Sequence, residues 1–159
     1  MPKSIALPTQ RFDRTPAVLL GGVNLVRALG LAGIPVIVAS PEEDEPAFAS
    51  KYCAARCVLP PLSRMDAVVD AIVMIGEHLS MLHGRRVPLF YGSDDFLKLI
   101  YAHRERLERH FLVLLNTPRV AQALLTKDDF QAFARESGLP VPAPLSWHGV
   151  GAASVVSAR

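Results

Sequence analysis

The stretch that decides the fold is Ala17–Ser40, AVLLGGVNLVRALGLAGIPVIVAS. Ala17-Val18-Leu19-Leu20 is a short apolar run that stops at Gly21-Gly22, the pattern of a buried strand followed by a tight turn. From Asn24 to Ala32, Leu25, Ala28 and Leu29 fall at helical spacing, with Asn24 placed as an N-cap and Gly33 as the closing glycine. Ile34 to Ala39 is a second apolar run, ending at Ser40-Pro41. Strand, Gly-Gly turn, helix, glycine, strand is a βαβ unit of about minimum length. Both runs are continuous rather than alternating, so both strands are expected to be covered on two faces.

The same alternation continues outward. Residues 1–15 are polar with Pro2 and Pro8, and are expected as a flexible leader. Residues 41–50, PEEDEPAFAS, read as an acidic loop. Cys57-Val58-Leu59 reads as a third strand, and Ser63 as the cap of a long helix whose apolar positions run from Met65 to Leu82 and which ends at Gly84. Val87–Tyr91 reads as a fourth strand. Ser93 caps the next helix, with Asp94 and Asp95 at its positive end and Arg104, Arg106 and Arg109 near its negative end, so that it runs to about Arg109. Phe111–Leu115 reads as a fifth strand. Thr117-Pro118 opens a helix to Leu125, and Thr126 caps another that ends at Ser137-Gly138. Leu139 to Pro144 is extended, with a proline at every second position. Five apolar strands alternating with helices predict an α/β, three-layer sandwich with a five-stranded, mainly parallel sheet.

Composition narrows the function. Hydrophobic residues are 50% and charged residues 20% of 159, which excludes a disordered chain. Lys+Arg 17 against Asp+Glu 15 gives a net charge of +2, too little for a nucleic-acid footprint. No apolar run of about 18 residues is present to span a membrane. The two cysteines, Cys53 and Cys57, form no disulfide framework or zinc pattern and read as small residues of a reducing, cytoplasmic protein. The histidines lack metal-ligand spacing; His78 and His83 are five apart rather than four. Neither G-x-S-x-G nor a P-loop occurs.

In an open parallel sheet, ligands bind beyond the carboxyl ends of the strands. Three loops lie there on this reading: Gly21-Gly22-Val23-Asn24, Ser40-Pro41, and Gly92-Ser93-Asp94-Asp95. The first is either a plain strand–helix turn or a loop whose backbone N–H groups take an anion. It is not G-x-G-x-x-G, and Ser40-Pro41 stands where dinucleotide folds carry a ribose acid, which counts against a nicotinamide site. Asp94 and Asp95 either serve the helix start or take a cation or substrate amine. Lys127 sits at a helix start, where its charge opposes the dipole with no capping benefit.

Residues 116–144, NTPRVAQALLTKDDFQAFARESGLPVPAP, resemble the segment joining the first and second domains of ATP-grasp ligases. Those proteins show a short helix, a "DK" or "TK" step, a second helix, and then glycine with alternating hydrophobic residues and prolines. Here these are Thr126-Lys127, Phe130, Phe133 and Gly138-Leu139-Pro140-Val141-Pro142. The preceding five-strand region is then similar to the family's Rossmann-like pre-ATP-grasp domain, and the branch it resembles is the carboxylate–amine ligases similar to D-aspartate ligase. The resemblance implies residues 16–126 as that domain, 127–144 as helix and linker toward a downstream ATP-grasp domain, and 145–159 as a disordered tail. It further implies that Lys127 contacts a phosphate of ATP, and that Gly21, Gly22, Asn24, Ser93 and Asp94 border a small carboxylate substrate. ATP and Mg²⁺ would act in the full-length enzyme. The family's second lysine, glycine-rich loop, arginine and Glu/Asn magnesium ligands have no counterpart in these 159 residues. This chain alone is therefore expected to be inactive and to bind no cofactor tightly. Relatives of this kind also imply a homodimer. The competing expectation is a non-catalytic α/β module that binds a small anion or nucleotide or mediates assembly.

Overall fold

The computed structural model describes residues 5–140. Leu139-Pro140 is the end of what it describes, so Val141–Pro144 of the linker pattern and the expected tail at 145–159 lie outside the described residues, as do residues 1–4. The chain divides into two compact units, residues 1–116 and residues 117–159.

The first unit is built on five strands: β1 (Ala17–Leu20), β2 (Val36–Ser40), β3 (Cys53–Val58), β4 (Val87–Tyr91) and β5 (Phe111–Leu112). Their order across the sheet is β3-β2-β1-β4-β5, and every pair is parallel. The helices are α1 (Val23–Leu31), α2 (Met65–His83), α3 (Asp94–Ala102) and α4 (Arg104–Leu107), with a 3-10 turn at Pro46–Ala49. The result is a three-layer α/β sandwich of Rossmann-like form, as the alternation of runs predicts.

The pleat sorts each apolar run between two cores. Val18, Leu20, Ile37, Ala39, Val87 and Leu89 face α2, α3 and α4, meeting Val68, Ile72, Ile75 and Leu79 of α2. Leu19, Val36 and Val38 face the opposite way, against Val26 of α1 and Phe48 of the 3-10 turn. Both faces of β1 and β2 are thus covered, which is why their sequences show no alternation. Gly76 lets α2 approach β5: an added Cβ would lie 2.4 Å from the Phe111 ring.

Several local expectations change. α1 is capped by Gly22, not Asn24, because Gly22 adopts φ +93° and turns the chain directly into the helix. α2 starts after Arg64 rather than on a Ser63 cap. The helix expected to run to Arg109 breaks at His103 into α3 and α4. β3 begins at Cys53, and β5 pairs with β4 over two residues. Residues 5–15, expected as a loose leader, pack on the first core through Ile5, Leu7 and Phe12. Cys57 Sγ donates to the Ala6 carbonyl at 3.4 Å, His78 Nε2 to the Pro8 carbonyl at 2.7 Å, and Arg14 to the carbonyls of Ala32 and Gly33.

The second unit holds α5 (Pro118–Leu125) and α6 (Lys127–Glu136). Pro118 occupies the first helical position of α5, and the Thr126 hydroxyl caps α6 by accepting from Asp129 N at 3.1 Å. Arg119 and Glu136 form an exposed ion pair between the two helices at 2.8 Å.

Candidate functional site

Strand order reverses between β1 and β4, so the loops after these two strands flank the topological switch point of the sheet. Both loops begin with glycine. Gly21 N donates to Ala39 O at 3.1 Å and Gly92 N to Leu20 O at 3.0 Å, which carries the ladders one residue past each strand. The loops then touch backbone to backbone. A Cβ on Gly92 would lie 3.0 Å from the carbonyl carbon and oxygen of Gly21 and from Gly22 Cα. Gly21 and Gly22 have φ of +69° and +93°, conformations that side chains resist.

From this contact α1 points away, with its N-terminus at the switch point of the sheet. Its cap is a glycine, with no side-chain hydrogen bond and no acidic residue in its first turn. The leading N–H groups of a helix have no intrahelical acceptor, and its N-terminus carries partial positive charge. Leu25 N and Val26 N donate to the Gly22 carbonyl at 3.2 and 3.3 Å, so among the described residues Val23 N and Asn24 N are the leading groups without a backbone partner. Asn24 is exposed one position into the helix, its side chain free of the capping duty the sequence assigns to it.

The other two loops bring carboxylates. Ser40 is buried; its Oγ donates to Glu45 Oε2 at 3.4 Å and accepts from Glu42 N at 3.2 Å. The other Glu45 oxygen accepts from Ala47 N at 3.1 Å. This holds the Glu45 carboxylate over the first glycine, where an added Cβ on Gly21 would lie 3.5 Å from Oε2. After β4, Ser93 caps α3 by accepting from Phe96 N at 3.4 Å, so its hydroxyl is committed to the helix. Asp94 and Asp95 follow in the first turn; Asp95 lies 3.9 Å from Lys98, and Asp94 is exposed.

Gly21, Gly22, Asn24, Ser93 and Asp94 thus belong to adjoining loops at one end of the sheet. Lys127 belongs to the second unit. It is the first residue of α6, exposed, with no hydrogen bond or ion pair among the described residues. Glu45 is the addition, and Gly92, already part of the third candidate loop, is placed against Gly21. Nothing in the acidic run 42–45 marks which carboxylate folds back.

Other chemistries find less support. Among the described residues, no group of three or more His, Cys, Asp or Glu is arranged to hold a metal ion. Burial pushes the Cys57 thiol up to about 12, so it stays protonated at neutral pH and is no nucleophile. Cys53 is likewise raised, chiefly by burial. No helix among the described residues is long and apolar enough to cross a membrane. No protein-family model matches this chain, and no curated protein matches it.

Proposed function

We propose that this chain is the substrate-side domain of an ATP-dependent carboxylate–amine ligase, and that the crevice at the β1/β4 switch point receives an amino acid. The carrying observation is the pairing of a glycine-capped helix start that has no side-chain cap with carboxylates on the flanking loops. An anion alone would meet the α1 N–H groups but also the field of Glu45, Asp94 and Asp95. A cation alone would meet the helix dipole. A zwitterion satisfies both, its carboxylate on the N–H groups of α1 and its ammonium toward the acidic loops.

In such an enzyme the substrate carboxylate oxygen attacks the γ-phosphorus of ATP and ADP leaves. An amine then attacks the acyl phosphate carbon, expelling phosphate and forming the amide. Magnesium would supply charge neutralisation at the phosphates in such an enzyme, and no group of side chains among the described residues is arranged to hold it. Gly21, Gly22 and the start of α1 would hold and orient the amino acid, and Ser93 would fix the neighbouring loop. Lys127, exposed and without a partner among the described residues, suits a phosphate contact.

The test is calorimetric titration of the chain with a panel of L- and D-amino acids, against matched carboxylic acids and amines. The reading expects millimolar or tighter binding of amino acids, with both partial analogues weaker by about tenfold. Equal binding of acid and amino acid would replace the ligase reading with a simple anion module.

A further inference from the structure

Residues 5–15 lie over the first core with no helix or strand of their own, and no backbone–backbone hydrogen bond ties them down among the described residues. Side chains hold them instead. At one end Cys57 Sγ and His78 Nε2 reach the carbonyls of Ala6 and Pro8, at 3.4 and 2.7 Å. At the other end Arg14 reaches the carbonyls of Ala32 and Gly33. Between these anchors Thr9, Gln10, Arg11 and Asp13 are exposed, and Phe12 alone packs on the core.

Phe12 rests on His83, the last residue of α2. Their rings are stacked, 7° from parallel, with centroids 6.2 Å apart. His83 is buried, and its Nε2 has no hydrogen-bond partner among the described residues. A neutral imidazole can leave Nε2 as a bare acceptor. An imidazolium must carry N–H on both nitrogens, and at Nε2 it finds no acceptor. Burial, then the charges of Arg11 on the segment and Arg85 on the turn after α2, hold the His83 pKa below the ordinary 6.5. No carboxylate offsets them: Asp13 is exposed and makes no hydrogen bond or ion pair among the described residues. His110, on the turn into β5, is engaged with Ser80 Oγ at 3.5 Å. His78 behaves differently. Its partner is a carbonyl, which only accepts, so Nε2 donates and a second proton on the ring leaves that bond in place.

We propose that residues 9–13 are a proton-operated flap: proton uptake by His83 lifts Phe12 off the end of α2, while Pro8 and Arg14 stay anchored on either side. Opening gives Nε2 water as an acceptor. It also carries Arg11 away from the ring, whereas Arg85 stays on its turn. The open flap therefore binds the proton more readily than the closed one. The closed form is complete above about pH 6.5, and opening grows as pH falls below it. The hold to be broken is one partly buried ring contact on a segment whose backbone makes no hydrogen bond of its own, the kind of element that opens well below the cost of global unfolding.

The test is NMR of the whole 159-residue chain between about pH 7.5 and 5.5. Nuclear Overhauser contacts between the Phe12 and His83 rings should fall by about half or more across this range, with a midpoint that tracks the His83 ring titration. Far-ultraviolet circular dichroism and the His78 Nε2–H signal should persist. In His83→Phe, the Phe12 ring shifts should not move with pH. Should that variant fail to fold, Arg11→Gln, at an exposed position, should reduce the loss of ring contacts at pH 5.5, because it removes the charge that leaves with the flap. Ring contacts that survive while His83 titrates overturn the proposal. So does the same pH response in His83→Phe, which assigns it to another group. Loss of the His78 signal together with the ring contacts also overturns it, since the whole segment then leaves rather than a flap within it. This inference is independent of the ligase reading.

Discussion

Gly92 lies against Gly21, and a side chain on Gly92 would meet the Gly21 carbonyl at 3.0 Å. The contact is backbone on backbone, so no flexible side chain can move aside. It locks together the loops after β1 and β4, the two strands between which the sheet reverses. Gly92→Ala is therefore expected to destabilise the fold by about 1–3 kcal/mol and to weaken amino-acid binding. Urea unfolding gives the first quantity and calorimetry the second; unchanged values of both would remove Gly92 from the site.

A second glycine tests packing away from the crevice. Gly76 admits the Phe111 ring, with an added Cβ 2.4 Å from Cε2 and 3.0 Å from His110 Cβ. Gly76→Ala should cost about 1–3 kcal/mol by overpacking. Gly84 has nothing within 4 Å and a φ of +68°, so Gly84→Ala should cost about 1 kcal/mol from backbone conformation alone. Denaturant midpoints of the two variants should rank in that order.

These glycines also show what the sequence exposes and what it withholds. Gly21-Gly22 and Gly92 each end a continuous apolar run, so β1, β2 and β4 and the crevice between them follow from the run lengths. β3 is less legible at its start: Cys53-Ala54-Ala55-Arg56 lacks apolar bulk because one side of this edge strand faces solvent. The Asn24 cap fails for a different reason. Capping propensity speaks for asparagine, but a left-handed glycine two residues earlier had already begun the helix. Glu45 is a tertiary fact, fixed by buried Ser40 and Ala47 N, which no local spacing encodes. The packed segment 5–15 is similar; His78 and Cys57 tie it down from distant positions, and its own Arg14 reaches the carbonyls of Ala32 and Gly33.

That segment carries a pH dependence. His83 is 7% exposed, its ring stacks on Phe12 at 6.2 Å, and its Nε2 is buried without a partner among the described residues. Burial, then the charges of Arg11 and Arg85, hold its pKa below the ordinary 6.5. The unfolded chain therefore takes up the proton first as pH falls. Stability from this site is full above about pH 6.5 and is lost progressively below it, down through the folded value. His83→Phe should flatten the urea midpoint between about pH 7 and 5 relative to wild type; an unchanged slope would exclude His83 as its source.

Lys127 gives a prediction about nucleotide. Among the described residues its ammonium, exposed at the start of α6, has no partner, and no metal-holding cluster accompanies it. A lone ammonium offers a triphosphate one contact, so ATP·Mg²⁺ should show no tight binding to this chain by calorimetry. Tight binding that Lys127→Ala abolishes would make the chain a self-sufficient nucleotide module instead.

The most direct measurement is a residue-resolved NMR titration of the ¹⁵N-labelled chain with amino acids. A subset of them should shift the amides of Gly22, Val23 and Asn24 at the start of α1, together with Gly21 and Ser93. The matched carboxylic acids should shift the same amides only at higher concentration. If no amino acid moves these amides up to about 10 mM, where even millimolar affinities register, the crevice is a structural turn and the substrate-side reading is wrong.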